Sequence, residues 1–354
     1  MTRIDSARPP REGENLDLAT LEPYLREHLP QVTESVVVEQ FPGGFSNLTY
    51  LLRSGDFEMV LRRPPFGNRV KTAHDMGREF RVLSALQGIY PLAPEPYVYC
   101  EEESVLGDPF YVMERRRGII LRKDIPEGID FDEATARGLS EAFVDNLATF
   151  HRLDVEAAGL SDFGKPEGYV ERQVEGWIRR YERARTHDWQ ELESVAVWLR
   201  ANRPPERAVG LVHNDCKYDN LVLDPEDLTR ILAMLDWEMC TLGDPLMDLG
   251  TSLAYWVEAG DPPAFHQIGM GPTSAPGSLT RREIVDRYAE RTGFDVGNPV
   301  FYYAYGLYKL AGVVQQIYYR FAKGHTQDPR FAQLHQMARL LGVVAANAIE
   351  HDRI

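Results

Sequence analysis

The chain has 354 residues, of which 44% are hydrophobic and 26% are charged, and its net charge is −15. This length suits two lobes or domains, the acidic balance argues against nucleic-acid binding, and no stretch reaches the roughly 20 apolar residues of a membrane span. Three widely spaced cysteines without a CxxC pair, and a polar N-terminus unlike a signal peptide, favour a reduced, cytoplasmic setting.

The first part of the chain predicts a small antiparallel sheet with one helix. Residues 1–15 are polar and contain prolines, so we expect them to be disordered, and a short helix is predicted at 17–28. One apolar face formed by Phe80, Leu83 and Leu86 predicts a second helix at 75–87. β-Branched and alternating runs bounded by turns predict strands at 36–38, 48–53, 57–62, 97–101 and 109–114.

The rest of the chain predicts a larger, mainly helical lobe with a few short strands. Helical periodicity occurs at 133–153, 169–186, 188–201, 246–258, 280–292, 300–322 and 329–350. Strand-like pieces occur at 209–212, 221–223 and 230–235. The predicted fold class is α+β, with a tail and helix at 1–34, a β-rich lobe at 35–114 and a helical lobe at 115–354.

The segment His213–Asn220 carries the strongest chemical signal, and two strand-like runs would hold it as a rigid loop. Asp215 can accept a hydrogen bond from a substrate hydroxyl, and Lys217 can neutralise charge on a transferred phosphoryl group. Asn220 can offer its carbonyl oxygen to Mg²⁺. Taken alone, the segment is equally compatible with a polar surface turn.

Asp236 strengthens the chemical interpretation. It follows the apolar run 231–235, which we expect to be buried, and a carboxylate at the end of a buried strand is costly unless it is paired or bound to metal. Mg²⁺ favours one or two carboxylates together with substrate phosphates. A hairpin between the two segments would return Asp236 beside Asn220, so together they predict a magnesium site used for catalysis or nucleotide binding.

At this point the chain resembles the aminoglycoside phosphotransferase and choline-kinase-like family of the protein-kinase-like fold. It is most similar to the kinase-like domain linked to acyl-CoA dehydrogenases. The resemblance covers about residues 35–350 and is carried by the blocks 43–50, 60–65, 213–220 and 235–249. It implies a two-lobed fold that binds Mg-ATP between its lobes and phosphorylates a hydroxyl of a small molecule. By that likeness Asp215 is the base, and Asn220 and Asp236 hold Mg²⁺.

The resemblance also places nucleotide-binding residues in the β-rich lobe. Backbone amides of a glycine-containing loop can approach phosphates closely, and this loop comprises Gly43, Gly44, Phe45, Ser46 and Asn47. Arg62 follows Val60 and Leu61 where kinases carry a phosphate-binding lysine. Glu79 is the expected ion partner of Arg62, and strand alternation sends Arg63 to the opposite face.

The end of the fifth predicted strand corresponds to the linker of the family. Backbone groups of Glu114 and Arg115 would bind adenine there, with Met113 behind the base. Met113 is equally compatible with ordinary core packing.

Three other residues near these motifs are interpreted as structural. His213 is expected to brace the Asp236 segment, Asp248 to hold the catalytic loop, and His151 to pack with its polar groups satisfied. Cys216 lies beside the base, but we do not expect it to be a nucleophile.

The expected partner is a small-molecule hydroxyl acceptor, without nucleic acid or membrane, and the oligomeric state is left open between monomer and dimer. The likeness to the dehydrogenase-linked domain favours a hydroxyacyl-CoA or hydroxy acid over an aminoglycoside and suggests a link to acyl-CoA metabolism. An anionic acceptor would need a basic patch, for which Arg179, Arg180 and Arg183 are candidates.

The alternative is a catalytically silent nucleotide-binding or scaffold protein. The arginine at position 62 favours this alternative, and the intact Asp215, Asn220 and Asp236 oppose it.

Overall fold

The computed structural model of the protein describes residues 4–42, 47–66, 75–267, 269–326 and 328–354. The chain forms two units, one of Met1–Ile120 with Leu221–Cys240 and the other of Leu121–Asn220 with Thr241–Ile354. The domain limits at 34/35 and 114/115 stay a prediction. No helix in the described part of the chain is both long and apolar enough to cross a membrane.

The first unit is built on an antiparallel sheet of five strands in the order β1-β2-β3-β5-β4. Its strands are β1 Val36–Gln40, β2 Leu48–Ser54, β3 Phe57–Arg63, β4 Pro96–Cys100 and β5 Phe110–Glu114. Its helices are α1 Leu18–His28, α2 Met76–Leu86 and the short α3 Glu103–Leu106, which was not predicted. Gly55, with φ +56°, opens the two-residue turn between β2 and β3.

Side-chain alternation along β3 separates the two arginines, as predicted. Arg63 lies on the face that packs against α1, where it donates to Asp108 at 3.0 Å and to the carbonyl oxygen of Leu106. Arg62 lies on the other face with Tyr111 of β5 and Glu79 of α2. Arg63 therefore has a structural role on one face of the sheet, and Arg62 belongs to the candidate site on the other face.

The expectation that residues 1–15 are disordered is wrong for the described residues of this segment. Arg8 pairs with Gln40 at the end of β1 through two backbone hydrogen bonds. The amide of Asp5 donates to the carbonyl oxygen of Gly118 at 3.0 Å, and its carbonyl oxygen accepts from Arg115 at 2.6 Å. The backbone of this polar segment is therefore ordered by hydrogen bonds to other parts of the unit, including the edge strand β1.

A second, two-stranded sheet completes this unit. It pairs β7 Leu221–Leu223 with β8 Ile231–Met234, and Leu221 lies opposite Met234. The chain then turns at Asp236 into a short 3₁₀ helix, Trp237–Met239. The predicted hairpin after the 213–220 segment is therefore present.

The second unit is mainly helical. Its helices are α4 Glu133–His151, α5 Tyr169–Ala184, α6 Gln190–Ala201, α7 Pro245–Tyr255, α8 Arg281–Thr292, α9 Pro299–Ala322 and α10 Leu334–His351. A pair of short strands, β6 Gly210–Val212 and β9 Thr241–Gly243, forms its small sheet, and β9 was not predicted. The α+β class with an antiparallel sheet and a helical part is confirmed.

Glycines allow α7 and α9 to cross at close range. A Cβ on Gly250 would lie 2.2 Å from the carbonyl oxygen of Tyr302, and one on Gly306 would lie 2.0 Å from that of Gly250. Both distances are far below van der Waals contact, so only glycine fits at either position. This crossing fixes the two helices that carry Asp248, Tyr255 and Lys309.

Candidate active site

The loop 213–220 begins where β6 ends, and α7 holds its first residues. The buried carboxylate of Asp248 accepts the backbone N–H groups of His213 at 2.5 Å and Asn214 at 2.8 Å. Burial raises the pKa of Asp248, but the hydrogen bond from His151 at 3.1 Å and nearby positive charge outweigh it and hold that pKa below its ordinary value. Asp248 thus holds the loop, as predicted, and His151 is satisfied by Asp248 and by Tyr288 at 2.6 Å.

Asn214, the residue before Asp215, is held in the left-handed region with φ +65°. Three helices bind its polar groups: Asp248 of α7 accepts its N–H, Tyr169 of α5 donates to its side-chain oxygen at 3.1 Å, and Lys309 of α9 donates to its carbonyl oxygen at 2.6 Å. A non-glycine residue in this conformation persists only where its surroundings hold it. These contacts therefore fix the direction in which the next residue points.

Asp215 has both carboxylate oxygens engaged. Oδ2 accepts from the Lys217 ammonium at 2.6 Å and from the Asn220 amide at 2.9 Å, while Oδ1 accepts from the Tyr255 hydroxyl at 2.8 Å. Burial raises the pKa of Asp215, but the charge and hydrogen bond of Lys217, with the bond from Tyr255, lower it below its ordinary value. Asp215 is therefore an ionised hydrogen-bond acceptor, and its side chain is mostly buried.

Asn220 ends the 3₁₀ turn Tyr218–Asn220 with its amide nitrogen committed to Asp215. Within the described residues its side-chain oxygen accepts no hydrogen bond, which leaves that oxygen available to a cation. Cys216, on the same loop, is buried, and burial raises the pKa of its thiol well above the ordinary value. A raised pKa favours the protonated, less reactive thiol, and that Cys216 is not a nucleophile stays a prediction.

In the first unit, Arg62 joins two carboxylates. Its Nε lies 3.2 Å from Glu79, so the predicted ion pair is present, and its terminal nitrogen donates to Asp236 Oδ1 at 2.9 Å. Burial raises the pKa of Glu79, an effect that Arg62 and the hydroxyl of Tyr111 oppose. An arginine fork can hold both carboxylates, whereas the single ammonium of a lysine is a point charge.

Asp236 is a second non-glycine residue in the left-handed region, with φ +66°. Its Oδ1 is engaged by Arg62, and its Oδ2 accepts no hydrogen bond from the described residues. Its side chain is 32% exposed. Asn220 Oδ1 in the second unit and Asp236 Oδ2 in the first unit therefore accept no hydrogen bond from the described residues.

Both oxygens are hard donors of the kind that Mg²⁺ binds. Among the described residues, histidine, cysteine, aspartate and glutamate side chains form no cluster of three or more that could hold a metal ion. Mg²⁺ is usually bound through one or two carboxylates together with substrate phosphates and water. Taken separately, the amide oxygen of Asn220 and the carboxylate oxygen of Asp236 are each donors of the kind that fits Mg²⁺. That one ion uses both of them stays a prediction.

The remaining predicted nucleotide-binding residues lie in the first unit. Gly43, Gly44, Phe45 and Ser46 lie outside the described residues. The side-chain amide of Asn47 donates to Glu79 and to Glu238, both at 3.0 Å. Asn47 therefore helps to hold Glu79, the ion partner of Arg62.

The predicted adenine-binding residues lie at the end of β5. Met113 is buried in that strand, opposite Val60 of β3. Glu114 pairs with Arg116 at 2.7 Å, and the Arg115 guanidinium lies 4.7 Å from the centre of the Phe41 ring. The roles of these residues toward adenine stay predictions.

Sequence reasoning missed Tyr169, Tyr255 and Lys309. Tyr255 lies seven residues after Asp248 on α7, a spacing that returns a side chain to the same helix face, so that spacing could have indicated it. Lys309 could have been identified from the sequence, because a charged residue within an apolar stretch of a helix indicates a buried polar contact. The structure shows that Lys309 is buried. Tyr169 carried no sequence signal.

Comparison with known proteins agrees with this architecture. The model of the phosphotransferase enzyme family matches residues 37–283. Acyl-CoA dehydrogenase family member 11 of Rattus norvegicus is 34% identical over 322 residues, covering 88% of this chain and 40% of that protein. A candidate aminoglycoside phosphotransferase of Ralstonia eutropha JMP134 has a crystal structure with TM-score 0.80 and 31% identity, covering 95% of this chain and 99% of that one.

A more distant likeness shows the fold alone. Choline kinase of Cryptosporidium parvum Iowa II aligns with TM-score 0.65 and 12% identity, covering 95% of this chain and 97% of that one. The fold is therefore that of the kinase-like proteins, as predicted. The chain belongs to the phosphotransferase enzyme family, and it spans 40% of the length of the rat relative.

Proposed function

We propose that this protein transfers the γ-phosphoryl group of ATP to a hydroxyl of a small molecule. The observation that carries the proposal is the state of Asp215, which is held ionised, beside an ammonium and with a hydroxyl on one of its oxygens. A carboxylate that receives the acceptor hydroxyl and aims it is the group that this chemistry needs.

The other side chains take roles in charge neutralisation and positioning. Lys217 offsets charge that develops on the transferred group, and Arg62, fixed by Glu79, contacts the phosphates. The loop 43–47 and the end of β5, Met113 to Arg115, bind the rest of the nucleotide. Mg²⁺ held by Asn220 and Asp236 would neutralise phosphate charge when bound.

For the acceptor we favour a hydroxyacyl-CoA or hydroxy acid over an aminoglycoside. Cationic groups lie near Asp215: Lys217 contacts it directly, and Lys309 binds the preceding residue. The Arg180 guanidinium and the Lys309 ammonium lie 4.8 and 5.8 Å from the centre of the Trp177 ring. Lys217 and Lys309 are already paired within the protein, whereas Arg180 is exposed and suits an anionic acceptor better than a polycationic one. The name of the rat relative is consistent with a link to acyl-CoA metabolism.

A catalytically silent nucleotide-binding or scaffold protein of the same fold is the second candidate. The observation that favours it is Arg62, because this side chain is bound by both Glu79 and Asp236. A guanidinium held by two carboxylates has less charge to offer to phosphates.

The test compares the wild-type chain with Asp215→Ala in binding of Mg-ATP and in ADP release over a panel of hydroxy acids, hydroxyacyl-CoA thioesters and aminoglycosides. We expect the wild type to phosphorylate a hydroxy acid or thioester and Asp215→Ala to bind ATP without transfer. Asp219→Ala, which removes another carboxylate of the same loop, is the control and should retain transfer. ATP binding without hydrolysis or transfer to any acceptor would favour the silent protein, and transfer by Asp215→Ala would overturn the role of the base.

A further inference from the structure

Tyr255 of α7 contacts the carboxylate of the proposed base. The hydroxyl of Tyr255, the last residue of α7, donates to Oδ1 of Asp215 at 2.8 Å. Asp248 and Tyr255 are seven residues apart, close to two helical turns, so both lie on the face of α7 that meets the loop. One end of this face holds the backbone before Asp215, and the other end holds its carboxylate.

The two oxygens of Asp215 are not equivalent. A carboxylate oxygen has about two lone-pair sites. Oδ2 accepts from both Lys217 and Asn220, which fills its sites, whereas Oδ1 accepts from Tyr255 alone among the described residues. Oδ1 is therefore the oxygen that can receive one more donor.

The ring of Tyr255 has a separate contact. The Lys217 ammonium lies 4.8 Å from the centre of this ring. The side chain thus touches both the base and its cationic neighbour, the base through the hydroxyl and the lysine through the aromatic face. Replacement by phenylalanine removes the first contact and preserves the second, so the two can be separated.

Resting on the proposed function, we propose that Tyr255 is a positioning residue for phosphoryl transfer. Its hydroxyl fixes the rotation of the Asp215 carboxylate so that the remaining site on Oδ1 faces the acceptor. The acceptor hydroxyl then bonds to the same oxygen as Tyr255, while Oδ2 stays with Lys217 and Asn220. Loss of the Tyr255 hydroxyl leaves the carboxylate free to turn, so that fewer bound acceptors are aligned.

The experiment measures steady-state transfer by the full chain and by Tyr255→Phe, with Mg-ATP and the best acceptor of the panel. We expect kcat to fall roughly 10- to 100-fold, the range for loss of a hydrogen bond to a charged group. The KM for Mg-ATP should stay within about twofold, because the nucleotide groups are untouched; a general structural defect would not give this split. Tyr24→Phe, which removes a hydroxyl bonded to the carbonyl oxygen of Tyr99 in the first unit, is the control and should leave kcat unchanged.

A second variant, Tyr255→Leu, also removes the ring and should lower kcat further because Lys217 loses its aromatic contact. A folded Tyr255→Phe chain with wild-type kcat would overturn the proposal. A Tyr255→Phe chain that does not fold would make the hydroxyl a structural group and would equally overturn it. If the wild type itself transfers no phosphoryl group, the proposed function fails first, and that outcome is distinct from an active wild type with an equally active variant.

Discussion

Lys309 is a buried ammonium in the apolar first part of α9, and it binds the backbone of the loop 213–220. Its Nζ donates to the carbonyl oxygen of Asn214 at 2.6 Å and lies 3.4 Å from Thr251. Burial lowers its pKa from the ordinary 10.5 to about 8, although the nearby Asp248 and Asp215 oppose this shift. Burial of the charged ammonium therefore lowers the stability of the folded chain, while its hydrogen bond helps to hold Asn214 in the left-handed conformation.

This shift predicts a pH dependence of stability. Between the folded pKa of about 8 and the unfolded pKa of 10.5, the unfolded chain binds more protons at Lys309 than the folded chain does. The contribution of Lys309 to the free energy of unfolding therefore rises with pH across this window and is lowest below it. Between pH 7 and about 9.5, the wild type should gain up to about 2 kcal/mol relative to Lys309→Met.

Denaturant unfolding of both chains at the two pH values measures this difference. Lys323→Met, which replaces an exposed lysine after the same helix, is the control and should show no comparable change. An equal stability difference between the wild type and Lys309→Met at both pH values would contradict the prediction.

At the scale of elements, the crossing of α7 and α9 positions the loop. These helices carry Asp248, Tyr255 and Lys309, which bind the residues 213–215. The close approach of Gly250 and Gly306 lets the two helices lie near enough for these side chains to reach the same loop.

Gly306→Ala should disrupt this crossing. The added methyl group would meet the backbone of Gly250 at 2.0 Å, and backbone cannot move aside as a flexible side chain can. Overpacking of this kind typically costs about 1–3 kcal/mol or more, so we expect a lower melting temperature and a reduced kcat. Gly260→Ala, where a Cβ meets nothing within 4 Å, is the matched control. A Gly306→Ala chain as stable as that control would show that the helices can separate at no cost.

The elements themselves were largely predictable, because apolar periodicity determines which segments bury a face. The ion pair of Arg62 and Glu79 followed from the resemblance to kinases, with strand alternation separating Arg62 from Arg63, and the hairpin after Asn220 followed from spacing. The strand β9 was missed because Thr241–Gly243 contains a single large apolar residue, whereas the equally short β6 and β7 are apolar throughout. The N-terminal segment was misjudged because its backbone is bound by the backbone of Gln40 and Gly118 and by the guanidinium of Arg115, contacts that the composition of the segment does not reveal.

At the scale of the whole molecule, the candidate residues fall into two sets that the two units hold separately. Asp215, Lys217 and Asn220 belong to the second unit, and Arg62, Glu79 and Asp236 belong to the first. Under the proposed function, Asp215 acts on the acceptor hydroxyl, whereas Glu79 acts on the nucleotide through Arg62. Substitutions of Asp215 and of Glu79 should therefore alter different kinetic constants.

Asp215→Asn and Glu79→Gln test this division with changes of nearly equal shape. Asp215→Asn should lower kcat by roughly 100-fold or more, the range for loss of a general base, with the KM for Mg-ATP little changed. Glu79→Gln should raise the KM for Mg-ATP, because Arg62 loses the charge that fixes it. Steady-state kinetics with both substrates varied separates the two effects, and a similar profile for both variants would contradict the division.

The contacts of Lys309 and of the N-terminal segment also bear on how small a working fragment of this protein can be. The family model spans residues 37–283, whereas α9 begins at Pro299 and Arg8 pairs with Gln40 from outside the other limit. A recombinant fragment cut at the limits of the family model would contain Asp215, Asn220 and Asp236. It would lack the ammonium that binds Asn214 and the edge pairing beside β1. The motif would then be complete in sequence while the supports that orient it were gone.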